Sequence, residues 1–261
     1  MSMIITGVEH GIGTITMNHP GRRNALGCAM IKALIEALEQ FRCERVRVVV
    51  VRAAPGMRVW CSGFDIEDLP RDGLAPDAVL DPDPLRPLIR QLTGMPMPVI
   101  GLIQGGVFGG GCELALACDL LIAEAEATFA LTPGRLGVPY PIAGLDLLLN
   151  RLTATVLKEM AFSARPVTAA RALALGFINH VVPAAEIEAF TLALAQDIAA
   201  NAPLSLSVIK RTVAALTVPA PLSDDAAAEI HALARMAWSS RDFAEGVTAF
   251  QQRRPPQFTG E

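Results

Sequence analysis

The sequence carries no excess of positive charge. Its 261 residues include 22 lysines and arginines against 26 aspartates and glutamates, which gives a formal net charge of −4 at pH 7. A chain with this balance has no surplus cations to neutralise a nucleic-acid backbone or an anionic membrane surface. We therefore expect neither nucleic acid nor a membrane among its partners.

Metal-binding and disulfide patterns are also missing. None of the four histidines has another histidine three or four residues away, and the five cysteines form an odd set without short paired spacing. Zinc sites and secreted disulfide frameworks show such spacing. The chain begins Met-Ser-Met-Ile, with no basic region before an apolar run, so no signal peptide is predicted. We expect no bound metal and a location in the reducing cytoplasm.

Long apolar runs and several well-known motifs are absent as well. The chain is 52% hydrophobic, but its longest uncharged stretch, Gln91 to Cys112, contains seven glycines and two prolines. A membrane helix needs about 20 mostly apolar residues, so this stretch is predicted to be buried strand, turn and helix start. No strand leads into G-x-G-x-x-G, and neither G-x-x-x-x-G-K-[ST] nor G-x-S-x-G occurs. Dinucleotide, P-loop and serine-hydrolase chemistry are therefore disfavoured.

Short β-type runs alternate with helical patterns in the first half of the chain. Alternating apolar residues predict a hairpin over 3–17, and apolar residues at helical spacing predict a helix over 27–42. Further along we predict a buried strand at 48–51, an irregular mobile loop from Pro70 to Pro87, a helix over 85–92, a strand at 98–103, a glycine turn at 105–111, a helix at 112–118 and a strand at 120–123. The repetition predicts an α/β spiral of strand-strand-helix units around one core.

Beyond Tyr140 the pattern becomes mainly helical, with one strand near 178–182. We expect a spiral core over residues 1–200 and a C-terminal helical region over 201–261. Ala-rich helices of this type pack against another subunit or against the chain's own core, and the pattern leaves both possibilities open.

Two glycine-bearing segments follow predicted strands, at 60–65 and 105–113. Consecutive glycines that open a helix let the backbone approach a ligand, and the free N–H groups at that point attract negative charge. An oxygen anion would fit there. The alternative is a tight turn or close helix packing, which also uses glycine.

Together with the stretch Arg23-Asn24-Ala25-Leu26, these segments resemble the crotonase (enoyl-CoA hydratase/isomerase) superfamily. The resemblance implies an acyl-CoA substrate whose thioester oxygen accepts hydrogen bonds from the backbone N–H groups of Phe64 and Gly110. It also implies a C-terminal trimerisation region, a homotrimer or dimer of trimers, and no cofactor beyond the coenzyme A of the substrate. Backbone groups of three residues would face the adenine and pantetheine, and Arg22 or Arg23 could meet the phosphates. These three residues are Ala25, Ser62 and Ile66.

The resemblance also limits the reaction type. Hydratases of the superfamily use two carboxylates that lie twenty residues apart. Glu113 occupies the first position, but Pro133 occupies the second, and no Asp or Glu occurs from residue 127 through 145. The segment 132–140 instead resembles the methylmalonyl-CoA decarboxylases of the superfamily, in which a tyrosine, here Tyr140, holds the substrate carboxylate.

Loss of CO₂ from a malonyl-type thioester produces an enolate without a base, so the decarboxylase interpretation fits the missing carboxylate. The chain departs from that pattern at Phe64, where the decarboxylases have histidine. Phe64 would make the pocket drier, or would mark a different acyl group. Glu113 would donate a proton to the enolate or turn away into a structural hydrogen bond.

The expected activity is that of an acyl-CoA lyase acting on methylmalonyl-CoA or a similar thioester. Three alternatives stay open at this point. One is an enoyl-CoA hydratase or isomerase that uses Glu113 alone, and another is a non-catalytic CoA-binding or RNA-associated protein. The third concerns Tyr140 alone, which between two prolines could cap the core with its hydroxyl at the surface.

Overall fold

The computed structural model describes residues 2–68, 84–136 and 140–217, and in the C-terminal part residues 225, 228–229, 232, 236, 240–252, 254 and 256–261. Within these ranges the strands are β1 Ile4–Glu9, β2 Ile12–Met17, β3 Val48–Ala53, β4 Val59–Cys61, β5 Val99–Ile103, β6 Gly106–Phe108, β7 Leu120–Glu124, β8 Thr128–Ala130, β9 Val167–Thr168 and β10 His180–Val182. The helices are α1 Cys28–Cys43, α2 Arg86–Thr93, α3 Gly110–Leu116, α4 Ile142–Leu149, α5 Ala154–Ser163, α6 Ala169–Ala174, α7 Ile187–Ala199, α8 Pro203–Thr217 and α9 Arg241–Gln252.

The strands form two sheets, which alternate along the chain. The six-stranded sheet has the order β1-β2-β3-β5-β7-β10 and is parallel except for the β1–β2 hairpin. The four-stranded sheet has the order β4-β6-β8-β9, with β4, β6 and β8 parallel. Each of the units β3-β4-α2, β5-β6-α3 and β7-β8-α4 places its first strand in the larger sheet and its second in the smaller one. The predicted spiral of strand-strand-helix units is confirmed.

The valine run in β3 shows why the larger sheet is buried on both faces. Val49 and Val51 lie in the main apolar cluster, whereas Val48 and Val50 lie in a second cluster on the opposite face. This second cluster includes Ile187 of α7, so α7 covers that face. A strand with two buried faces needs continuous rather than alternating apolar residues.

Several predicted boundaries require correction. The glycine stretch 105–111 is not only a turn, because 106–108 form β6 and α3 begins at Gly110 instead of residue 112. Helix α2 already begins at Arg86, so Pro87 lies in its first turn, where a missing N–H costs nothing. The rest of the predicted 70–87 loop, up to residue 83, lies outside the described residues.

The C-terminal tail is attached to the spiral and to α9. The Arg47 guanidinium donates to the carbonyls of Asn201 and Phe258 at 3.2 and 3.0 Å. The buried Asp242 carboxylate accepts from the amides of Thr259 and Gly260 at 2.6 and 2.9 Å. These contacts order the tail.

No single helix in the described ranges is long and apolar enough to cross a membrane. Helices α7 and α8 meet the length and composition criteria only as a pair, and the chain bends by 104° between them.

Candidate active site

Three loops meet at one edge of the four-stranded sheet. Strand β4 ends before Phe64, β6 ends before Gly110, and β8 ends before the segment that leads to Tyr140. Because these strands are parallel neighbours, their carboxyl ends lie on the same side, where ligands of α/β proteins commonly bind. The topology therefore collects the segments that the sequence singled out.

The loop after β4 is held by main-chain hydrogen bonds to residues 22–26. The amide of Leu26 donates to the Gly63 carbonyl at 2.8 Å, and the amide of Asp65 donates to the Leu26 carbonyl at 3.3 Å. Phe64 thus pairs with Leu26 in a parallel bridge. Gly63 has φ of +96°, a conformation that other residues rarely adopt.

The Asn24 side chain connects the 19–26 loop to the end of β4, a role that the sequence analysis did not predict. Its side chain is fully buried; its Oδ1 accepts from the His19 amide at 2.8 Å and its Nδ2 donates to the Trp60 carbonyl at 3.0 Å. One amide group thereby fixes both the 19–26 loop and the end of β4.

Each of the three glycines after β6 occupies a position where a side chain would be strained or would clash. Gly109 adopts φ 50° and ψ −122°, which excludes most side chains. A Cβ on Gly110 would lie 2.6 Å from Leu85 Cδ1, and one on Gly111 would lie 2.9 Å from the Cys61 carbonyl oxygen. Helix α3 therefore begins in direct contact with β4 and with the start of α2.

The two predicted donor amides lie side by side. An ideal Cβ on Gly110 would be 3.3 Å from the Phe64 nitrogen, and one on Gly63 would be 3.3 Å from the Gly110 nitrogen. Neither amide donates to a main-chain carbonyl within the described ranges. Within the described ranges both amides are thus left without a main-chain acceptor.

Glu113 and Tyr140 both approach another glycine, Gly144 of α4. An ideal Cβ on Gly144 would lie 2.7 Å from Glu113 Oε2 and 2.8 Å from Tyr140 Cε1. Glu113 is buried, with 3% of its surface exposed, and lies one helical turn beyond Gly110 on α3. Tyr140 is half-buried and packs against the main core. The structure thus places Glu113 and Tyr140 beside the same glycine, and Glu113 on the helix that begins at Gly110.

Pro133 begins a 3₁₀ helix, Pro133–Leu136. Within this helix, the Arg135 guanidinium donates a hydrogen bond to the Ala164 carbonyl at 2.6 Å, which connects the segment to the end of α5. Since the whole segment 127–145 contains no acid, it offers no second carboxylate next to Glu113.

The residues expected to contact coenzyme A lie around the 22–26 and 62–66 stretches. The Ser62 amide donates to the Arg23 carbonyl at 3.0 Å, Ala25 lies between Arg23 and Leu26, and Ile66 begins the 3₁₀ turn Ile66–Asp68. This turn is attached to α1, since Asp68 Oδ2 accepts from the Cys28 amide at 2.9 Å.

Arg22, one of two expected phosphate contacts, is already ion-paired. Its guanidinium lies 2.5 Å from Glu67 Oε2 and 3.6 Å from Asp65 Oδ1. The hydrogen bond from Arg22 lowers the pKa of the Glu67 carboxyl. A phosphate at Arg22 would therefore compete with two carboxylates.

Two buried thiols, Cys61 and Cys112, lie in the elements that carry the candidate site. Burial raises the pKa of the Cys61 thiol to about 12 and that of Cys112 further still, so neither is a ready nucleophile. No group of three or more His, Cys, Asp or Glu side chains in these ranges could hold a metal ion.

A family model described as enoyl-CoA hydratase/isomerase matches residues 7–261. The chain therefore belongs to the enoyl-CoA hydratase/isomerase family, and both the family and the crotonase-type fold predicted from the sequence are confirmed. It is similar to the methylmalonyl-CoA decarboxylase of Escherichia coli K12, at 37% identity over 249 residues and 95% of each chain.

Two solved structures extend the comparison. A methylmalonyl-CoA decarboxylase complexed with 2S-carboxypropyl-CoA has a TM-score of 0.79 and 35% identity, covering 100% of this chain and 99% of that one. An enoyl-CoA hydratase/carnithine racemase from Magnetospirillum magneticum has a TM-score of 0.90 and 32% identity, covering 100% and 97%. Identity is thus higher to the decarboxylase and backbone similarity higher to the hydratase-like protein. The reaction must be argued from side chains in the site.

Proposed function

We propose that this enzyme decarboxylates methylmalonyl-CoA, or a similar malonyl-type thioester, to the corresponding acyl-CoA. The observation that carries the proposal is the composition of the site. The Phe64 and Gly110 amides are close neighbours, Glu113 lies on the helix that Gly110 begins, and a tyrosine ring instead of a second carboxylate approaches the same glycine as Glu113. The similarity to methylmalonyl-CoA decarboxylase supports the same assignment.

In the proposed reaction the bond between the α-carbon and the carboxylate breaks. CO₂ leaves, and the electron pair of that bond passes into the thioester as an enolate. The oxygen of the enolate accepts hydrogen bonds from the Phe64 and Gly110 amides, whose positions are held by the protein before the charge develops. Removing one donor of this type from an oxyanion hole typically costs about 10²–10³ in kcat. A proton then adds to the α-carbon and gives the acyl-CoA.

Tyr140 would orient the departing carboxylate. A phenol can donate a hydrogen bond to the carboxylate without the repulsion that a second acid would exert. Holding that group perpendicular to the thioester plane aligns the breaking bond with the carbonyl π system. Leu85, which is 3% exposed and covers Gly110, supplies an apolar wall. A dry wall favours loss of a carboxylate because it solvates the anion poorly.

The Phe64 and Glu113 side chains also have roles in the proposed mechanism. The Phe64 side chain packs against the core, so its contribution is apolar contact while its backbone donates. Glu113, buried beside Tyr140, would supply the proton for the α-carbon; otherwise its role is to hold Tyr140 in place.

Binding of the coenzyme A part would involve backbone groups of Ala25, Ser62 and Ile66. Arg23 is a better phosphate contact than Arg22, because among the described residues Arg22 has carboxylate partners and Arg23 has none. No metal and no separate organic cofactor enters the proposed reaction. We also propose a homotrimer or dimer of trimers, for which light scattering is the direct measurement.

Hydration or double-bond isomerisation of an enoyl-CoA is the second candidate. Buried Glu113 in the site and the TM-score of 0.90 to an enoyl-CoA hydratase/carnithine racemase favour it. Glu113 would act as its acid–base group. It ranks second because a hydratase of this family needs a second carboxylate, and Pro133 occupies that position.

A panel of CoA thioesters with mass detection of products would separate the candidates. We expect CO₂ and propionyl-CoA from methylmalonyl-CoA, and no turnover of crotonyl-CoA or a 3-enoyl-CoA. Tyr140→Phe should lower CO₂ release about 10–100-fold, because it removes one orienting hydrogen bond. Glu113→Gln should still release CO₂, since breaking the carbon–carbon bond needs no base, while protonation of the enolate to propionyl-CoA should slow. Turnover of crotonyl-CoA that Glu113→Gln abolishes would refute the proposal in favour of the hydratase.

A further inference from the structure

Gly144 occupies an unusual place for a glycine. It is a buried residue in the first turn of α4, and its φ is not in the left-handed range that often requires glycine. Glycine also weakens a helix interior relative to alanine. Neither the backbone conformation nor helix stability therefore explains this residue.

The space beside its α-carbon provides the explanation. A Cβ built there would lie 2.7 Å from Glu113 Oε2, 3.0 Å from Glu113 Cδ and 2.8 Å from Tyr140 Cε1, and real Cβ atoms essentially never approach closer than 3.0 Å. A carboxylate and the edge of an aromatic ring thus both approach the space that a methyl group would fill. The two side chains come from separate segments of the chain, and both use space that is open because residue 144 has no side chain.

We propose that Gly144 is a positioning residue for the reaction, setting the placement of the Tyr140 ring against the Glu113 carboxylate. The kinetic part of this inference rests on the proposed decarboxylation. The inference goes beyond that function by identifying the residue that lets the phenol reach its place.

Both partners would have to yield to an added methyl group, since both lie closer than 3.0 Å to its position, but Tyr140 has more freedom to move. Glu113 is 3% exposed and belongs to α3, which is packed against β4, whereas Tyr140 is half-buried and precedes α4. Normal carbon contacts are about 3.5–4.0 Å, so Gly144→Ala would displace the ring edge by roughly 1 Å. Displacements of this size in a positioning group can cost about 10²-fold in rate.

The single tyrosine makes a direct test possible. Because the chain contains one tyrosine, protein made with ¹³Cε-tyrosine gives a signal from Tyr140 alone. We expect this resonance to move in Gly144→Ala. It should stay in place in the matched control Gly7→Ala, since Gly7 is exposed and has nothing within 4 Å of its ideal Cβ. An unchanged resonance in Gly144→Ala would overturn the proposal, whatever the activity.

Steady-state kinetics provide a second test of the role of Gly144. Gly144→Ala should lower kcat for methylmalonyl-CoA about 10–100-fold and change KM little, while thermal unfolding stays near that of the wild type. Added to Tyr140→Phe, it should cost less than about threefold more, because both changes act through the same hydroxyl. Full additivity in this cycle would refute positioning through Tyr140. A moved resonance in a protein that decarboxylates no malonyl-type thioester would support the role of Gly144 and refute the proposed function.

Discussion

Replacing Gly110 with alanine tests the paired amides directly. The added methyl would lie 2.6 Å from Leu85 Cδ1 and 3.3 Å from the Phe64 nitrogen. The leucine methyl is the end of a flexible side chain and can rotate away. The Phe64 nitrogen belongs to a backbone segment paired with Leu26 and can yield only by widening the gap between the amides. We therefore expect the main damage at the amides.

The expected loss in kcat follows from how far the added methyl group weakens the two amide donors. Complete removal of one oxyanion donor costs about 10²–10³ in kcat, or roughly 2.7–4 kcal/mol. A shift of a few tenths of an ångström weakens the pair without removing a donor, so we expect a loss of about 10–100-fold in kcat with a small change in KM. CO₂ release from methylmalonyl-CoA is the assay, and Gly7→Ala is the control.

A double variant distinguishes the amides from simple packing. Leu85→Ala removes the closer contact but leaves the contact with the Phe64 nitrogen unchanged. Gly110→Ala combined with Leu85→Ala should therefore remain impaired relative to Leu85→Ala alone. If the double variant regained the activity of Leu85→Ala, the loss would come from leucine packing, and the amide assignment would be refuted.

Three further predictions concern the scaffold. In the native protein a thiol reagent should modify two cysteines, the exposed Cys28 and Cys43, and in denaturant all five, because the other three are buried. Native modification of more than two would contradict the burial. Asn24→Ala should lower the free energy of unfolding by about 2–4 kcal/mol in urea titrations, since it leaves buried backbone groups without partners; a loss below 1 kcal/mol would contradict this. Arg254 lowers the pKa of Glu245 from 4.5 to about 2, so the stability gained from this pair is complete above pH 4.5 and is lost as pH falls towards 2. The difference in Tm between wild type and Glu245→Gln should therefore shrink over that range, and a constant difference would contradict the pairing.

Regular periodicity predicted the long elements well, including the hairpin, α1 and the buried β3. It did not predict β6, β8 or β9, which have two or three residues each. Such strands are too short to show a period, and they form because neighbouring strands pair with them. β6 illustrates this: it contains Gly106, a poor strand former, yet the ring of Phe108 fills the space beside that glycine.

For the proposed site, the sequence analysis assigned roles to residues that stand in linear motifs. Phe64 and Gly110 stand in recognisable glycine segments, and Tyr140 follows a recognisable stretch. Leu85 and Gly144 were missed because their roles depend on atoms from distant parts of the chain. The space around Gly144 is defined by a side chain from α3, and no pattern near residue 144 reports that contact.

The parallel order of β4, β6 and β8 has a consequence for how such a protein could change its chemistry. The first two strands end in the paired amides, which any thioester reaction with an enolate could use. The third leads into residues 132–140, which include Tyr140, the phenol to which we assign the choice of reaction. New activities could therefore arise by exchanging a single loop while the remaining framework is inherited unchanged.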